Sequence, residues 1–269
     1  MALAGYIRML RIPDWIKFYP FIPLAGVVLA GPEAVDLGLL LIVFIIFFCV
    51  TSYGFAINNY YDCELDRSHP EKVSSNKNPL VSGDITPKGS LILCALLVFV
   101  SLILSASLSI YGLIFTSLSI IIYTLYSEEH VRLKEVYLVD VISHGCMTGV
   151  FPFLAGFTLA GGKINMHITP IILLFMALGS EALLTHQIND YREDMGNTMT
   201  TVVRVGRKNG WVLLALFTVL SIISLVISNA IFNFSITLTT VAFAYLAIYP
   251  VYMCRGELSY DINNNPSVE

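Results

Sequence analysis

Eight apolar stretches, near residues 17–32, 37–60, 90–110, 111–127, 138–161, 167–189, 209–229 and 231–253, leave this chain little choice of architecture. Hydrocarbon offers no hydrogen bonds, so a spanning segment must satisfy its own backbone as a helix or close into a barrel. Stretches of this length suit helices, which need about 20 residues to cross, rather than strands of about 10. Of the 269 residues 56% are hydrophobic and only 13% charged, with a mean hydropathy of +0.76. A soluble domain carries about 25% charged residues. The expected fold is therefore an all-α polytopic membrane bundle, with residues 1–254 forming the membrane domain and 255–269 a polar cytoplasmic tail.

Charge fixes the expected orientation. With the N-terminus in the cytoplasm, the inner segments hold 14 of the 15 Lys and Arg residues, and only Lys163 lies outside. That is the positive-inside pattern, and Trp15 and Trp211 fall at inner interfaces where amphipathic rings settle. Arg8, Arg11 and Lys17 precede the first apolar run and no small-residue cleavage pattern follows, so the first span is expected to stay in the mature protein. Five scattered cysteines show no Cys-x-x-Cys spacing and point to neither a zinc site nor a disulfide framework. A net charge of -4 gives no reason to expect a nucleic-acid partner, and no protein partner is predicted.

Two acidic clusters interrupt this apolar pattern: Asn58-x-x-x-Asp62-x-x-x-Asp66 and Asp190-x-x-x-Asp194. A step of four residues turns a helix by only about 40° and advances it about 6 Å, so each cluster lines one helical face. Four spans separate the two, an even number, so both emerge on the cytoplasmic side. Their spacing matches one four-helix unit and suggests two four-helix pseudo-repeats around a central cavity. Carboxylate-rich oxygen sites suit Mg2+, which takes one or two carboxylates from the protein and completes its octahedron with water and substrate phosphates. Together the faces would hold a magnesium-bound diphosphate. A solvated helix end explains any one aspartate, but not the clustered set at the membrane edge.

The motifs resemble those of the UbiA superfamily of intramembrane prenyltransferases. Asn58-Asn59-Tyr60-Tyr61-Asp62-Cys63-Glu64-Leu65-Asp66-Arg67 is similar to the family's first magnesium-diphosphate motif, and His69-Pro70-Glu71-Lys72 with Asn78-Pro79-Leu80-Val81-Ser82-Gly83 to the loop behind it. Tyr126-Ser127, Arg132-Leu133-Lys134-Glu135 and Asp140 resemble the middle cytoplasmic loop. Asn189-Asp190-Tyr191-Arg192-Glu193-Asp194 and Thr200–Gly206 resemble the second acidic motif and its tail. The chain departs from the pattern in three places. Asn78-Pro79 stands where Arg-Pro is common, leaving a basic contact to Lys77 or absent. Glu193-Asp194-Met195-Gly196-Asn197 stands where the family usually carries a Gly-Asp pair and a further basic residue. The family bundle usually has nine helices against the eight counted, so eight to nine transmembrane helices are expected.

The resemblance implies magnesium-dependent transfer of a prenyl group from an isoprenoid diphosphate to a lipophilic acceptor within the membrane. The acceptor would be a quinone precursor, an ether lipid, a carotenoid or a tetrapyrrole. Asn58, Asp62, Asp66, Asp190 and Asp194 are the expected metal ligands. Arg67, Lys72, Arg132, Lys134 and Arg192 are the candidates to clamp the diphosphate, although topology alone asks for basic residues in these loops. Tyr53, Tyr60, Tyr61, Tyr123 and Tyr126 could offer ring faces to an allylic cation. Asp140 and His144, four apart, could form an oriented base, or equally be a capping Asp and a buried His. Glu181 sits mid-span, must face the bundle interior or a cavity, and lies about 180° of rotation from Asp190. The rival reading is a transporter or ion carrier, which asks for ionisable groups near midplane instead of acids gathered beside polar inner loops. A lipid-binding protein that keeps only the fold is the third.

Overall fold

The computed structural model describes residues 2–31, 35–68, 73 and 77–257. The expected diphosphate contact Lys72 lies outside the described residues, as do His69-Pro70-Glu71 and residues 258–269 of the tail. In chain order the principal helices are α1 (Ala2–Met9), α2 (Phe21–Ala30), α3 (Leu37–Tyr61), α4 (Cys63–Ser68), α5 (Pro87–Leu108), α6 (Ile110–Ser127), α7 (Val139–Leu159), α8 (Thr169–Asn189), α9 (Tyr191–Asp194), α10 (Thr201–Val205), α11 (Arg207–Phe232) and α12 (Ile236–Met253). Seven of these, α3, α5, α6, α7, α8, α11 and α12, are long and apolar enough to cross a membrane. They match seven of the eight expected spans. The first expected span is shorter than its apolar run, because α2 begins only after Pro20 and is closed by Gly31 at φ 140°. Its 10 residues reach about 15 Å.

The helices gather into two compact units, Met1–Arg132 with Phe151–Ile164 and Leu133–Val150 with Asn165–Glu269. The division falls within α7, at the π-helical turn Cys146–Val150.

In the first unit α2 packs on the Phe151–Leu159 half of α7. A Cβ on Gly156 would meet the Pro23 carbonyl oxygen at 1.9 Å, and one on Gly26 the Phe153 carbonyl oxygen at 2.3 Å. Only glycine permits this backbone approach, which is how helices associate where burial of apolar surface supplies no drive. Helix α3 lies against α5 and α6, with the Tyr53 hydroxyl 2.6 Å from Thr124 Oγ1. Trp15 is fully buried, donating from Nε1 to the Leu10 carbonyl at 2.8 Å and meeting Phe48 edge-on. It serves this unit's core instead of the lipid interface the sequence suggested.

In the second unit α8 lies against α11 and the first half of α7. Val141, Leu184, Ile188, Val202, Leu214 and Cys254 form a core at the motif-bearing end. Glu181 is fully buried on α8, as its cost in hydrocarbon demands. Ser221 of α11 stands opposite, and neither carboxylate oxygen reaches ordinary hydrogen-bond geometry. Helix α12 buries only Leu246 and Pro250 and turns Val241, Ile248 and Val251 outward, the surface of a lipid-facing helix.

Candidate active site

Helical hydrogen bonding runs through the whole first motif. The Asp62 amide donates to the Asn58 carbonyl at 2.9 Å and the Asp66 amide to the Asp62 carbonyl at 2.8 Å. The three side chains thus stay in register across the break between α3 and α4. Asp62 and Asp66 are 6% and 8% exposed, far more buried than membrane-edge carboxylates need be. Burying a carboxylate is costly without a partner, and each has one: an Arg132 guanidinium nitrogen lies 3.6 Å from Asp62 Oδ1, and Asn78 Nδ2 donates to Asp66 at 2.9 Å. Ser127 donates to Asn58 Oδ1 at 3.0 Å, joining the end of α6 to the motif.

Asn78 is the residue that sequence reasoning passed over. It stands where the family commonly has arginine, and its amide does three things at once. It donates to Asp66 and to the Asn59 carbonyl at 2.8 Å, and it accepts from the Leu80 amide at 3.1 Å. With 5% exposure it ties the loop behind the motif to the motif itself. The basic contact expected at this point is not supplied by Lys77, which lies 3.8 Å from Asp14. Arg67 turns outward to pair with Glu64 at 2.6 Å and donates to the Leu80 carbonyl at 3.4 Å. Among the described residues, Arg132 is an expected basic residue that lies beside a motif carboxylate. It adopts φ 43° at the end of a loop built on Glu128, which accepts from the His130 and Val131 amides at 3.0 Å each.

The tyrosines divide into two groups. Tyr53 and Tyr123 are core residues, 7% and 8% exposed, the latter seated on Gly54. Tyr60 and Tyr61 meet edge-to-face at 5.4 Å and, like Tyr126, are partly exposed at the motif end.

In the second unit Asp190 caps α8, its amide donating to the His186 carbonyl at 2.8 Å, and Asp194 follows one turn later with its amide on the Asp190 carbonyl at 2.8 Å. Asp190 is exposed and Asp194 partly so. Arg192 faces Glu257 at 3.4 Å. Lys134 sits in the short turn Leu133–Glu135, partly exposed. Arg204 donates to the Glu135 carbonyl at 3.1 Å, and the Thr201 hydroxyl accepts from the Leu138 amide at 2.8 Å, so the tail of the second motif holds the Lys134 loop.

Of the two alternatives for Asp140 and His144, the contacts are those of structural anchors. Asp140 is fully buried and its carboxylate accepts from the Val141 amide at 2.8 Å, Gln187 Nε2 at 2.7 Å, the Thr201 amide at 2.8 Å and the Thr201 hydroxyl. An acceptor with both oxygens doubly engaged has no lone pair directed at a substrate; it fastens α7, α8 and α10 together. His144 Nδ1 lies 2.8 Å from the Gly179 carbonyl oxygen, the contact of a satisfied buried histidine. Thr201 and Gln187 escaped the sequence reading because nothing in their spacing links them to Asp140.

The donor set of each cluster fits magnesium. Among the described residues no three His, Cys, Asp or Glu side chains gather as a self-sufficient metal site. The first motif offers carboxylate and amide oxygens and the second carboxylates, in the one or two per ion that magnesium takes from protein, the remainder coming from phosphate and water.

These features accord with three comparisons. The profile of the UbiA prenyltransferase family matches residues 20–259. A digeranylgeranylglyceryl phosphate synthase from Methanocaldococcus jannaschii is 25% identical over 227 residues, which is 84% of this chain and 75% of that one. A UbiA homolog from Archaeoglobus fulgidus, bound to GPP and Mg2+, shares the fold with a TM-score of 0.79 at 21% identity over 98% of this chain and 89% of its own. A homolog from Aeropyrum pernix K1 gives 0.73 at 16% identity, over 98% and 93%. Matched from α2 to the end of α12 and across both acidic motifs, this integral membrane protein belongs to the UbiA prenyltransferase family and is a prenyltransferase.

Proposed function

We propose that this enzyme transfers a prenyl group from an allylic isoprenoid diphosphate to a glycerophosphate ether lipid, using magnesium, at the cytoplasmic face of the membrane. The observation that carries the reading is the in-register Asn58, Asp62 and Asp66 set, its two aspartates buried and Arg132 beside Asp62. The relatives named digeranylgeranylglyceryl phosphate synthase support the acceptor class, and the neighbours bound to GPP or DMAPP with Mg2+ support the donor and the ion. The Lys and Arg distribution supports the cytoplasmic position.

In this reading Asp62, Asp66, Asp190 and Asp194, with Asn58, hold the ions. Magnesium, when bound, supplies positive charge to the diphosphate and so stabilises it as a leaving group. The residues of the chain do the rest. Arg132, Lys134 and Arg192 are the chain's candidates to neutralise part of the remaining charge on the diphosphate oxygens. Cleavage of the allylic carbon–oxygen bond leaves its electron pair on the diphosphate. The acceptor oxygen bonds the allylic carbon and gives up its proton to the departing diphosphate. Tyr60, Tyr61 and Tyr126 present ring faces to the cationic carbon. The apolar helices keep out the water that would capture it.

The test is diphosphate release from purified protein in detergent, with DMAPP, GPP and longer allylic diphosphates, a glycerophosphate ether lipid, and magnesium present or chelated. Turnover that needs magnesium and is lost in Asp62→Ala and Asp190→Ala is expected, with product mass naming the acceptor. Folded protein that releases no diphosphate with any donor would overturn the reading.

A further inference from the structure

The segment that follows α12 is fastened to the second acidic motif on both sides of Asp190. Before it, Asn189 Nδ2 donates to the Met253 carbonyl at 3.1 Å. After it, Arg192 lies 3.4 Å from Glu257 Oε2 and the Arg207 guanidinium, which also donates to that oxygen, sits over the Tyr191 ring at 5.7 Å. Cys254, fully buried, donates to the Thr185 carbonyl at 3.7 Å and joins the core beneath the motif.

A four-residue helix such as α9 has no stability of its own, since helix nucleation is unfavourable and the gain per added residue is small. Its position is imposed from outside, in part by Tyr191 packing on the core and in part by Glu257, which meets Arg192 directly and Arg207 over the Tyr191 ring. One carboxylate stands between two guanidiniums. It meets Arg192, whose long side chain is 49% exposed and costly to order, and so narrows the directions that side chain takes. The better-buried partner is Arg207, at 14% exposure, which makes it the anchor and Arg192 the residue being aimed.

We propose that Glu257 is a positioning residue for donor binding, holding Arg192 and α9 in the attitude that receives the diphosphate. The proposal rests on the prenyltransferase reading above. It assigns the Cys254–Glu257 turn to the donor end of the site and gives the acceptor no contact with it.

The experiment measures steady-state constants for donor and acceptor separately, with inhibition by inorganic diphosphate, in full-length wild type, Glu257→Gln, Glu257→Asp and Arg207→Gln. Glu257→Gln is expected to raise the donor KM and the diphosphate inhibition constant together, about tenfold, the scale of one charge-assisted contact. The acceptor KM and Tm stay at wild-type values. Glu257→Asp recovers most of the loss, and Arg207→Gln moves the donor constant the same way. A general loosening of the fold would move donor and acceptor constants together with Tm, and that result overturns the proposal, as does a failure of Glu257→Gln to fold. An unchanged donor KM in folded Glu257→Gln, with Asp190→Ala inactive, sinks this inference and leaves the prenyltransferase reading standing. Turnover persisting in Asp190→Ala without magnesium sinks that reading instead.

Discussion

Asn78 shows how much one side chain carries at this site. Its amide satisfies Asp66, the Asn59 carbonyl and the Leu80 amide, three buried polar groups that lose their partner together in Asn78→Ala. Each such loss costs about 1–3 kcal/mol when water cannot replace the bond. Removing a group that orients a metal ligand typically costs about 10–100-fold in affinity or activity. Asn78→Ala is therefore expected to lower turnover by that factor and to raise the magnesium concentration needed for half-maximal rate. Asn78→Asp is expected to be worse, because it sets a second carboxylate 2.9 Å from the first. A magnesium titration of both variants checks this, and wild-type magnesium demand in either would show that Asp66 needs no such support. Asp62 and Asp66 were legible because helical spacing is a local property of sequence. Asn78 was not, because its role is set by a loop that returns to the helix end, and in the sequence it read only as a departure from the family's arginine.

The same division between local and returning contacts holds for whole elements. Seven long helices follow from apolar runs alone, while α2 is cut short by Pro20 and Gly31, residues whose effect depends on where the helix begins and ends. The Asp140 knot is a device of this second kind, joining α7, α8 and α10 through Gln187 and Thr201. Thr201→Val removes the hydroxyl from Asp140 and from the Leu138 amide, and about 2–4 kcal/mol of stability is expected to go with the two bonds. Tm and activity should then fall together. A base at Asp140 would behave differently, since folded Asp140→Asn would be inactive at nearly wild-type Tm. The loop between α6 and α7 carries a pH-dependent contact of its own. Hydrogen bonding to Glu128 raises the His130 imidazole above its ordinary 6.5, and the same bond lowers the Glu128 carboxyl. The histidine's contribution is complete below 6.5 and is lost as pH rises through the raised value; the carboxyl's is present above the ordinary carboxylate range and is lost as pH falls through the lowered one. The loop that presents Arg132 is thus firmest in the window between. In an NMR titration Glu128→Gln should return His130 toward 6.5 and speed hydrogen exchange at the His130 and Val131 amides. An unmoved titration would dismiss the pair.

At the scale of the molecule the helices gather into two compact units, each carrying one acidic motif. What composition could not show is that the unit boundary runs through the middle of α7, because hydropathy registers that a helix crosses and not which neighbours its two halves choose. Orientation is the whole-molecule property that the apolar runs leave to charge, and Cys63 gives a direct test of it. The thiol sits between Asp62 and Asp66 in sequence and is partly exposed, whereas Cys49, Cys94 and Cys254 are buried and Cys146 lies within a span. Burial pushes the Cys63 thiol above its ordinary value, so labelling by a maleimide, which attacks as thiolate, is expected to be slow near neutrality and to quicken as pH rises. With Cys146→Ala as background, a membrane-impermeant maleimide should modify Cys63 in inside-out vesicles and leave it untouched in right-side-out ones. Magnesium with inorganic diphosphate should protect it, and neither alone should do so fully, because the ion and the anion complete each other's coordination beside this residue. Labelling from the outer face would reverse the topology and remove the cytoplasmic site with it. Labelling from the inner face without protection would keep the topology and move the diphosphate away from the first motif.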